Sequence, residues 1–291
     1  MTEMLLFESE SSPRAASAVG STGLVVAAPT YEVLSSGGGT QSTAMAALIV
    51  QGKLPKPDIM AIGDTGREMP TTWEYLDQVT RPAMKKIGIE VHRVKAMEYA
   101  NNWGHPSLGG WGKKGTLLLP VYTSLGGNPG KQPGFCSKAW KPEVLARWLK
   151  REHGIAKKEY KSWIGFSLDE DRRWKRMQNG DEWKQGLIRF PLVYDVPTKR
   201  HHAIRLVEQM GWPTPPRSRC WMCPNQSDME WREVQTDHPK LFKEAIRMDE
   251  SIREKDPDAY MHSSISPLRD ADLSGGDDLF SGGCASGECF L

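Results

Sequence analysis

A chain of 291 residues, 38% hydrophobic and 25% charged, has the composition of an ordinary soluble globular protein. None of its apolar runs approaches the length of roughly 20 residues that spans a bilayer. Its N-terminal segment "MTEMLLFESESSPR" carries acidic residues where a secretory signal carries basic ones. We therefore expect a cytoplasmic protein without a membrane partner. The net charge is +2, but residues 141–219 hold 18 Lys and Arg against 10 Asp and Glu, which favours either a polyanionic partner or a solvated helical surface.

The first third of the chain alternates predicted strands with predicted helices. Residues 1–30, rich in Ser, Ala and Gly, are predicted to be a disordered leader. The hydrophobic pattern predicts strands over 31–36, 58–64 and 89–94 and helices over 40–52 and 69–88. Strands separated by helices indicate parallel βαβ units with right-handed crossovers. We therefore expect an α/β fold with an open, mostly parallel sheet flanked by helices.

The remaining segments continue this pattern after a long interruption. Residues 101–134 are rich in Gly and Pro and too long for a simple connection, so they are a candidate lid. The pattern then predicts a helix over 138–154, a strand over 161–167, a short helix over 169–177, a strand followed by a loop over 186–196, and a helix over 198–211 capped by Thr198. We expect an α/β domain over 31–212, a smaller helical, cysteine-bearing part over 213–268, and a flexible Gly- and Asp-rich tail over 269–291.

Three consecutive glycines stand between the first predicted strand and the first predicted helix. Glycine at such a turn lets backbone amides approach a ligand, and the unsatisfied amides of the helix N-terminus attract anions. No Lys-Ser/Thr pair follows the glycines, so this is not a Walker A loop, and the spacing is not GxGxxG. The pattern predicts a phosphate site, with a glycine-rich turn for close helix packing as the alternative.

The stretch "SSGGGTQS" resembles the pyrophosphate-binding loop, S-x-G-G-x-D-S, of the adenine-nucleotide α-hydrolase-like superfamily, which contains ATP pyrophosphatases and phosphoadenylylsulfate (PAPS) reductases. The resemblance implies a Rossmann-like sheet of the HUP type that binds ATP with Mg²⁺, or a sulfonucleotide. The nucleotide-binding residues that it implies are Ser35, Ser36, Gly37, Gly38, Gly39, Thr40, Gln41 and Ser42. Gln41 stands where many members carry Asp, a variant found in the reductase-like branch, and it is a candidate catalytic residue.

A second motif follows the second predicted strand. The segment "GDTGREMPTTW" is similar to the family pattern D-T-G-x-x-[FM]-P-x-T, which lines the nucleotide site. Asp64, Thr65 and Gly66 are therefore candidate nucleotide-binding residues, and Asp64 is also a candidate catalytic residue. The carboxyl end of a strand is where an open α/β sheet places ligand contacts.

Five cysteines, an odd number, argue against a disulfide framework and for metal binding or redox chemistry. Cys220 and Cys223 form a C-x-x-C pair, and Cys136 begins another predicted helix. Together the three thiols can supply three ligands to zinc or to an iron–sulfur cluster. Disulfide exchange is an alternative use of the pair. The surrounding sequence resembles PAPS-reductase-like proteins of DNA phosphorothioation and tRNA thiolation, which implies a [4Fe-4S] cluster. A purely structural zinc ion is the other interpretation.

The predicted tail carries the other two cysteines. Glu288 and Cys289 match part of the "ECG" ending of PAPS reductases, which implies a catalytic nucleophile at Cys289, although Phe290 replaces the glycine. Cys284 is a candidate for the missing cluster ligand. Both thiols could equally be incidental.

Together these resemblances imply an ATP pyrophosphatase that adenylates an acceptor, DNA or tRNA, for thiolation by sulfur from a cysteine desulfurase or another donor. Tryptophans near the basic segment, Trp221 among them, suit either base stacking or core packing. Two rivals remain: a PAPS or APS reductase that uses Cys289 and thioredoxin, and a non-catalytic nucleotide-binding subunit with a structural zinc. A homodimer is compatible with each.

Overall fold

The computed structural model describes residues 28–124 and 129–275, so most of the predicted leader and the tail cysteines Cys284 and Cys289 lie outside the described residues. Its centre is a five-stranded, all-parallel sheet flanked by helices, which confirms the predicted α/β fold. The strands of this sheet, in spatial order, are β3 (Val91–Lys95), β2 (Ile59–Asp64), β1 (Tyr31–Ser36), β6 (Tyr160–Ile164) and β7 (Ile188–Arg189).

Strand β1 is the central strand of this sheet. It pairs with β2 on one side, where Ser35 aligns with Ala61, and with β6 on the other, where Ser35 aligns with Ile164. The chain winds outward from β1 to β3 and then returns to build β6 and β7 on the opposite side. Five of the six residues of β2 are buried, as a parallel strand covered on both faces requires.

Helices cover the sheet and form the C-terminal part. Their bounds are α1 (Thr40–Val50), α2 (Pro70–Tyr75), α3 (Arg81–Lys86), α4 (Ala96–Tyr99), α5 (Cys136–Trp140), α6 (Pro142–His153), α7 (Asp171–Gln178), α8 (Asp181–Lys184), α9 (Arg200–Glu208), α10 (Asp228–Asp237) and α11 (Pro239–Arg253). No helix within 28–124 and 129–275 is both long enough and apolar enough to cross a membrane.

Prolines account for two departures from the predicted helices. A π-helical turn over Leu76–Thr80 joins α2 to α3, immediately before Pro82, whose ring lacks an N–H and crowds the preceding turn. The predicted helix over 138–154 is broken at Lys141, because Pro142 begins a new helix.

One further sequence expectation is wrong. Thr198 does not cap α9: the residue before the helix is Lys199, without a side-chain cap, and the Thr198 hydroxyl donates to the Val196 carbonyl at 2.6 Å. The strand followed by a loop that is predicted over 186–196 is a strand of two residues, Ile188–Arg189, followed by a π-helical turn over Pro191–Asp195.

The candidate lid is largely built into the core. Leu117, Leu118, Leu119 and Val121 belong to the same buried cluster as Trp231 of α10. A small antiparallel sheet joins the segment to the C-terminal part through β4 (Tyr122–Thr123), β5 (Gly130–Lys131) and β8 (Ala259–Tyr260). This packing differs from that of a predicted lid, which would rest on the surface.

The first residues of the predicted tail pack against helix α10. Leu273 is buried, and Arg232 donates to its carbonyl at 2.6 Å and to that of Gly275 at 3.3 Å. Residues 269–275 are therefore held against α10.

Helix α10 has a reciprocal N-terminal cap that can be tested. The Ser227 hydroxyl accepts from the Glu230 amide at 3.3 Å, and the Glu230 carboxylate accepts from the Ser227 amide at 3.0 Å. We expect Ser227→Ala to lower the free energy of unfolding by about 1 kcal/mol, measured by chemical denaturation. Ser263→Ala, at an exposed serine, is the control; identical curves for both variants would show that the cap contributes nothing.

Candidate functional site

The glycine segment, residues 37–39, lies where the strand order of the sheet reverses. It follows the carboxyl end of β1, between the neighbouring strands β2 and β6, and leads directly into α1. Ligands of open α/β sheets bind in the crevice at this point. The predicted phosphate loop therefore has the location that a ligand site requires.

Local contacts hold the loop in one shape. Gly38 adopts φ +73°, and a Cβ there would lie 2.7 Å from Thr72 Cγ2 and 2.9 Å from Ile62 Cδ1, so only glycine fits. The Ser36 hydroxyl accepts from the Gly38 amide at 3.2 Å, and the Ser42 hydroxyl donates to the Gly39 carbonyl at 3.0 Å. The first amides of α1 have no acceptor within the helix, which makes this N-terminus suited to an anion.

Gln41 is bound to a residue that the sequence did not single out. Its amide donates to Glu170 Oε2 at 3.0 Å, and the same oxygen accepts from the amide and hydroxyl of Ser167 at 3.0 and 3.1 Å. The other oxygen of Glu170 pairs with Arg173. An aspartate at position 41 would place a second carboxylate beside Glu170 and would be repelled, whereas the glutamine amide can donate. Gln41 and Glu170 thus form a matched pair.

Asp64 has both carboxylate oxygens engaged inside the protein. Oδ2 accepts from Arg93 Nε at 2.8 Å, and Oδ1 accepts from the Gly66 amide at 2.7 Å. The Arg93 guanidinium lies over the Trp73 ring at 3.8 Å. In this arrangement Asp64 shapes the turn at residues 64–66.

The C-x-x-C loop packs directly on the segment that follows Asp64. Backbone hydrogen bonds run from Trp221 to Arg67 at 2.9 Å and from Met69 to Arg219 at 3.0 Å. They bring Cys220 Sγ to 3.7 Å from Thr65 Oγ1 and 3.8 Å from Glu68 Oε1. Two motifs that are about 150 residues apart in the sequence therefore share one site.

The three predicted metal-ligating cysteines interact with one another electrostatically. Burial, and then the neighbouring Cys223, raise the pKa of Cys136 to about 12. Burial also raises the pKa of Cys220, where Glu68 adds to the effect, and the pKa of Cys223. Without a metal ion, the protein therefore favours the neutral thiol at all three positions.

A buried ion pair lies beside these thiols. Lys141 Nζ is 3.0 Å from Glu68 Oε1, and the Glu68 side chain is 2% exposed. Burial alone lowers the pKa of Lys141, but Glu68 and Cys220 outweigh it, so the net pKa is raised. Sequence reasoning missed both residues, although Glu68 lies within the DTG motif and Lys141 follows the helix that Cys136 begins.

The donor set suits a soft metal, but its arrangement is incomplete. Three thiols are the ligands that zinc and iron–sulfur clusters prefer, and Glu68 Oε2 is buried without a partner among the described residues. Within 28–124 and 129–275, however, no three His, Cys, Asp or Glu side chains are placed to hold a metal ion. The structure brings the cysteines into one neighbourhood and does not form a closed metal centre. Cys289 and Cys284 lie outside the described residues.

The glycine loop and the cysteine loop adjoin each other. A Cβ at Gly39 would lie 3.1 Å from Ser218 Cβ and 3.2 Å from the Ser218 amide nitrogen. Ser218 is two residues before Cys220. The predicted nucleotide site and the cysteines are thus parts of one continuous surface.

The chain matches no protein-family model, and no curated protein or solved structure matches it significantly. The family resemblance of the motifs therefore stays a prediction. The parallel sheet, the loop at its reversal point and the neighbouring cysteines do not depend on that resemblance.

Two adjacent glycines provide a matched test of the phosphate loop. We expect Gly38→Ala to weaken nucleotide binding by about tenfold or more, because the new Cβ displaces the loop. Gly37→Ala is the control, since a Cβ there meets nothing within 4 Å. Calorimetric titration with ATP measures both; equal affinities would remove the loop from the binding site.

The buried ion pair predicts a strong stability effect. Lys141→Met leaves the Glu68 carboxylate buried without its cation and should lower the free energy of unfolding by about 3 kcal/mol. Lys138→Met, at an exposed lysine of the preceding helix α5, should have little effect.

A double variant tests whether the loss arises from the pair. Adding Glu68→Gln to Lys141→Met removes the unpaired charge and should recover part of the stability in denaturant unfolding. No recovery would mean that the lysine acts through other contacts.

Proposed function

We propose that this protein is a nucleotide-dependent sulfur-transfer enzyme, an ATP pyrophosphatase that adenylates an acceptor for thiolation. One observation carries the proposal: a glycine loop at a helix N-terminus, at the reversal point of a parallel sheet, adjoins a loop whose two cysteines form, with Cys136, a cluster of three partly buried thiols. A nucleotide bound at the glycine loop would lie beside the cysteines.

In the first step, an oxygen of the acceptor attacks the α-phosphorus of ATP. The bond between the α-phosphorus and the bridging oxygen breaks, and pyrophosphate leaves. The amides at the start of α1 and the helix dipole stabilise the negative charge of the phosphates. Mg²⁺, when bound to the triphosphate, supplies further neutralisation.

In the second step, sulfur at the oxidation level of sulfide attacks the adenylated carbon. AMP leaves with the former acceptor oxygen, so a carbon–oxygen bond is replaced by a carbon–sulfur bond. Activation is necessary because oxide is a poor leaving group, whereas AMP is a good one. Cys136, Cys220 and Cys223 are the residues that would hold an iron–sulfur cluster or zinc, which would provide a binding place for sulfur.

The charge of the surface favours a nucleic acid, DNA or tRNA, as the acceptor. Helices α7 and α9 and the residue before α9 expose Arg172, Lys175, Lys199, Arg200 and Arg205. A polyanionic strand would gain counterion-release free energy on this face. The sulfur donor would be a cysteine desulfurase or another protein that carries persulfide sulfur, and a thiol reductant would release that sulfur as sulfide and leave a disulfide on the donor.

A second candidate function is reduction of a sulfonucleotide such as PAPS, with thioredoxin as the reductant. Gln41 favours it, because the resemblance associates a neutral residue at this position with the reductase-like branch, and its amide is held by Glu170. A glycine loop that binds pyrophosphate can equally accept the phosphosulfate group. The two activities differ in their use of Cys289, which is the expected nucleophile of the reductase alone.

Product analysis of anaerobically purified protein separates the candidates. The proposal predicts bound iron and acid-labile sulfide, and pyrophosphate release from ATP that rises when tRNA or DNA is added. Cys220→Ser should lose iron and thiolation while ATP still binds, because the glycine loop is untouched. Sulfite release from PAPS without pyrophosphate release from ATP, abolished in Cys289→Ser, would instead establish the reductase.

A further inference from the structure

A cavity of about 510 Å³ opens beside the cysteine loop. It lies between residues 65–67, the turn at residues 108–111, Trp221 and helix α11. Its volume is in the range of small-molecule sites, and its described lining includes none of residues 37–42. The cavity is therefore distinct from the glycine loop.

The lining combines aromatic surface with positive charge. Trp111, Trp221 and Met248 supply polarisable apolar surface, and Arg67, Arg247 and Lys255 supply three cations. Glu244 supplies one carboxylate to the lining, and its Oε1 atom lies 2.5 Å from Arg247 Nη1. The cavity thus favours a ligand that is both planar and anionic.

The surroundings of Trp111 indicate how such a ligand would be held. Lys255 Nζ lies 5.1 Å from the centre of the Trp111 ring, so a cation and an indole face are presented together. The Trp111 indole N–H is buried without an acceptor among the described residues. This nitrogen has almost no accessible surface, so a ligand would meet the ring of Trp111 and not its N–H.

The cavity also touches the cysteine cluster. Trp221 follows Cys220 directly, and Thr65, which lines the cavity, lies 3.7 Å from Cys220 Sγ through its hydroxyl. A ligand in the cavity would therefore lie next to Cys220.

We infer that this cavity binds one nucleotide unit of the acceptor, with its base against the tryptophans and its phosphate at Arg247 and Lys255. The inference rests on the proposed function, because it takes the cavity as the place where the acceptor meets the cysteines. Stacking on indole faces tolerates any base, and the cations recognise phosphate. The unit can come from a single strand or from a free nucleotide, and the experiment separates these sources.

The test uses a short fluorescein-labelled oligothymidylate and, as competitor, thymidine monophosphate, with fluorescence anisotropy as the readout. We expect Trp111→Leu, and separately the double variant Arg247→Gln/Lys255→Gln, to weaken oligonucleotide binding about tenfold or more. Lys243→Gln, an exposed lysine of α11 outside the cavity lining, is the matched control and should bind like the unmodified chain. Displacement by the monophosphate identifies a free nucleotide as sufficient; no displacement identifies the strand.

The outcomes distinguish this inference from the proposed function. Equal oligonucleotide binding by the cavity variants and Lys243→Gln, in a protein that releases pyrophosphate, would overturn the cavity assignment alone. Loss of binding in the cavity variants without pyrophosphate release under any condition would support the cavity and overturn the pyrophosphatase. Loss of oligonucleotide binding in Gly38→Ala, but not in the cavity variants, would place the strand at the glycine loop and overturn the inference.

Discussion

The ion pair between Glu68 and Lys141 joins the elements on which the whole site depends. Glu68 belongs to the segment after β2, Lys141 to the junction of α5 and α6, and Cys220 lies beside them on the C-x-x-C loop. Gly63 allows this convergence, since a Cβ there would come within 3.3 Å of Lys141 Cα. A buried pair contributes little net stability, but removing one partner is costly, so its main effect is to specify geometry.

The Glu68–Lys141 ion pair and the glycine loop both constrain the segments that flank the turn at residues 64–66. Gly38 lets the start of α1 approach Ile62 of β2 and Thr72 of α2, while Glu68 ties the segment after β2 to the cysteines. The DTG turn between them is closed by Asp64 and therefore has little freedom to move. A rigid turn between an anion site and a thiol cluster is what transfer between the two requires.

The sequence alone predicted the order of the main strands and helices and the location of the glycine loop. Hydrophobic runs, glycines and helix starts are local signals, so they can be read without knowing the fold. It was insufficient for the partners of those residues. Glu170 and Lys141 contact Gln41 and Glu68 across long sequence separations, which no periodicity reveals. The cap expected at Thr198 is absent for a related reason, because the Thr198 hydroxyl donates to the nearby Val196 carbonyl instead.

The contact of Gln41 with Glu170 has a mechanical consequence. Gln41 belongs to the first turn of α1, and Glu170 immediately precedes α7, which carries part of the basic surface. A single carboxylate thus connects the phosphate loop to the cationic helix, and neither can shift without changing the other. Under the proposed function, binding of a nucleotide at the loop and binding of a nucleic acid at the basic face would be thermodynamically linked: whatever free energy one ligand adds to the binding of the other is returned in equal measure.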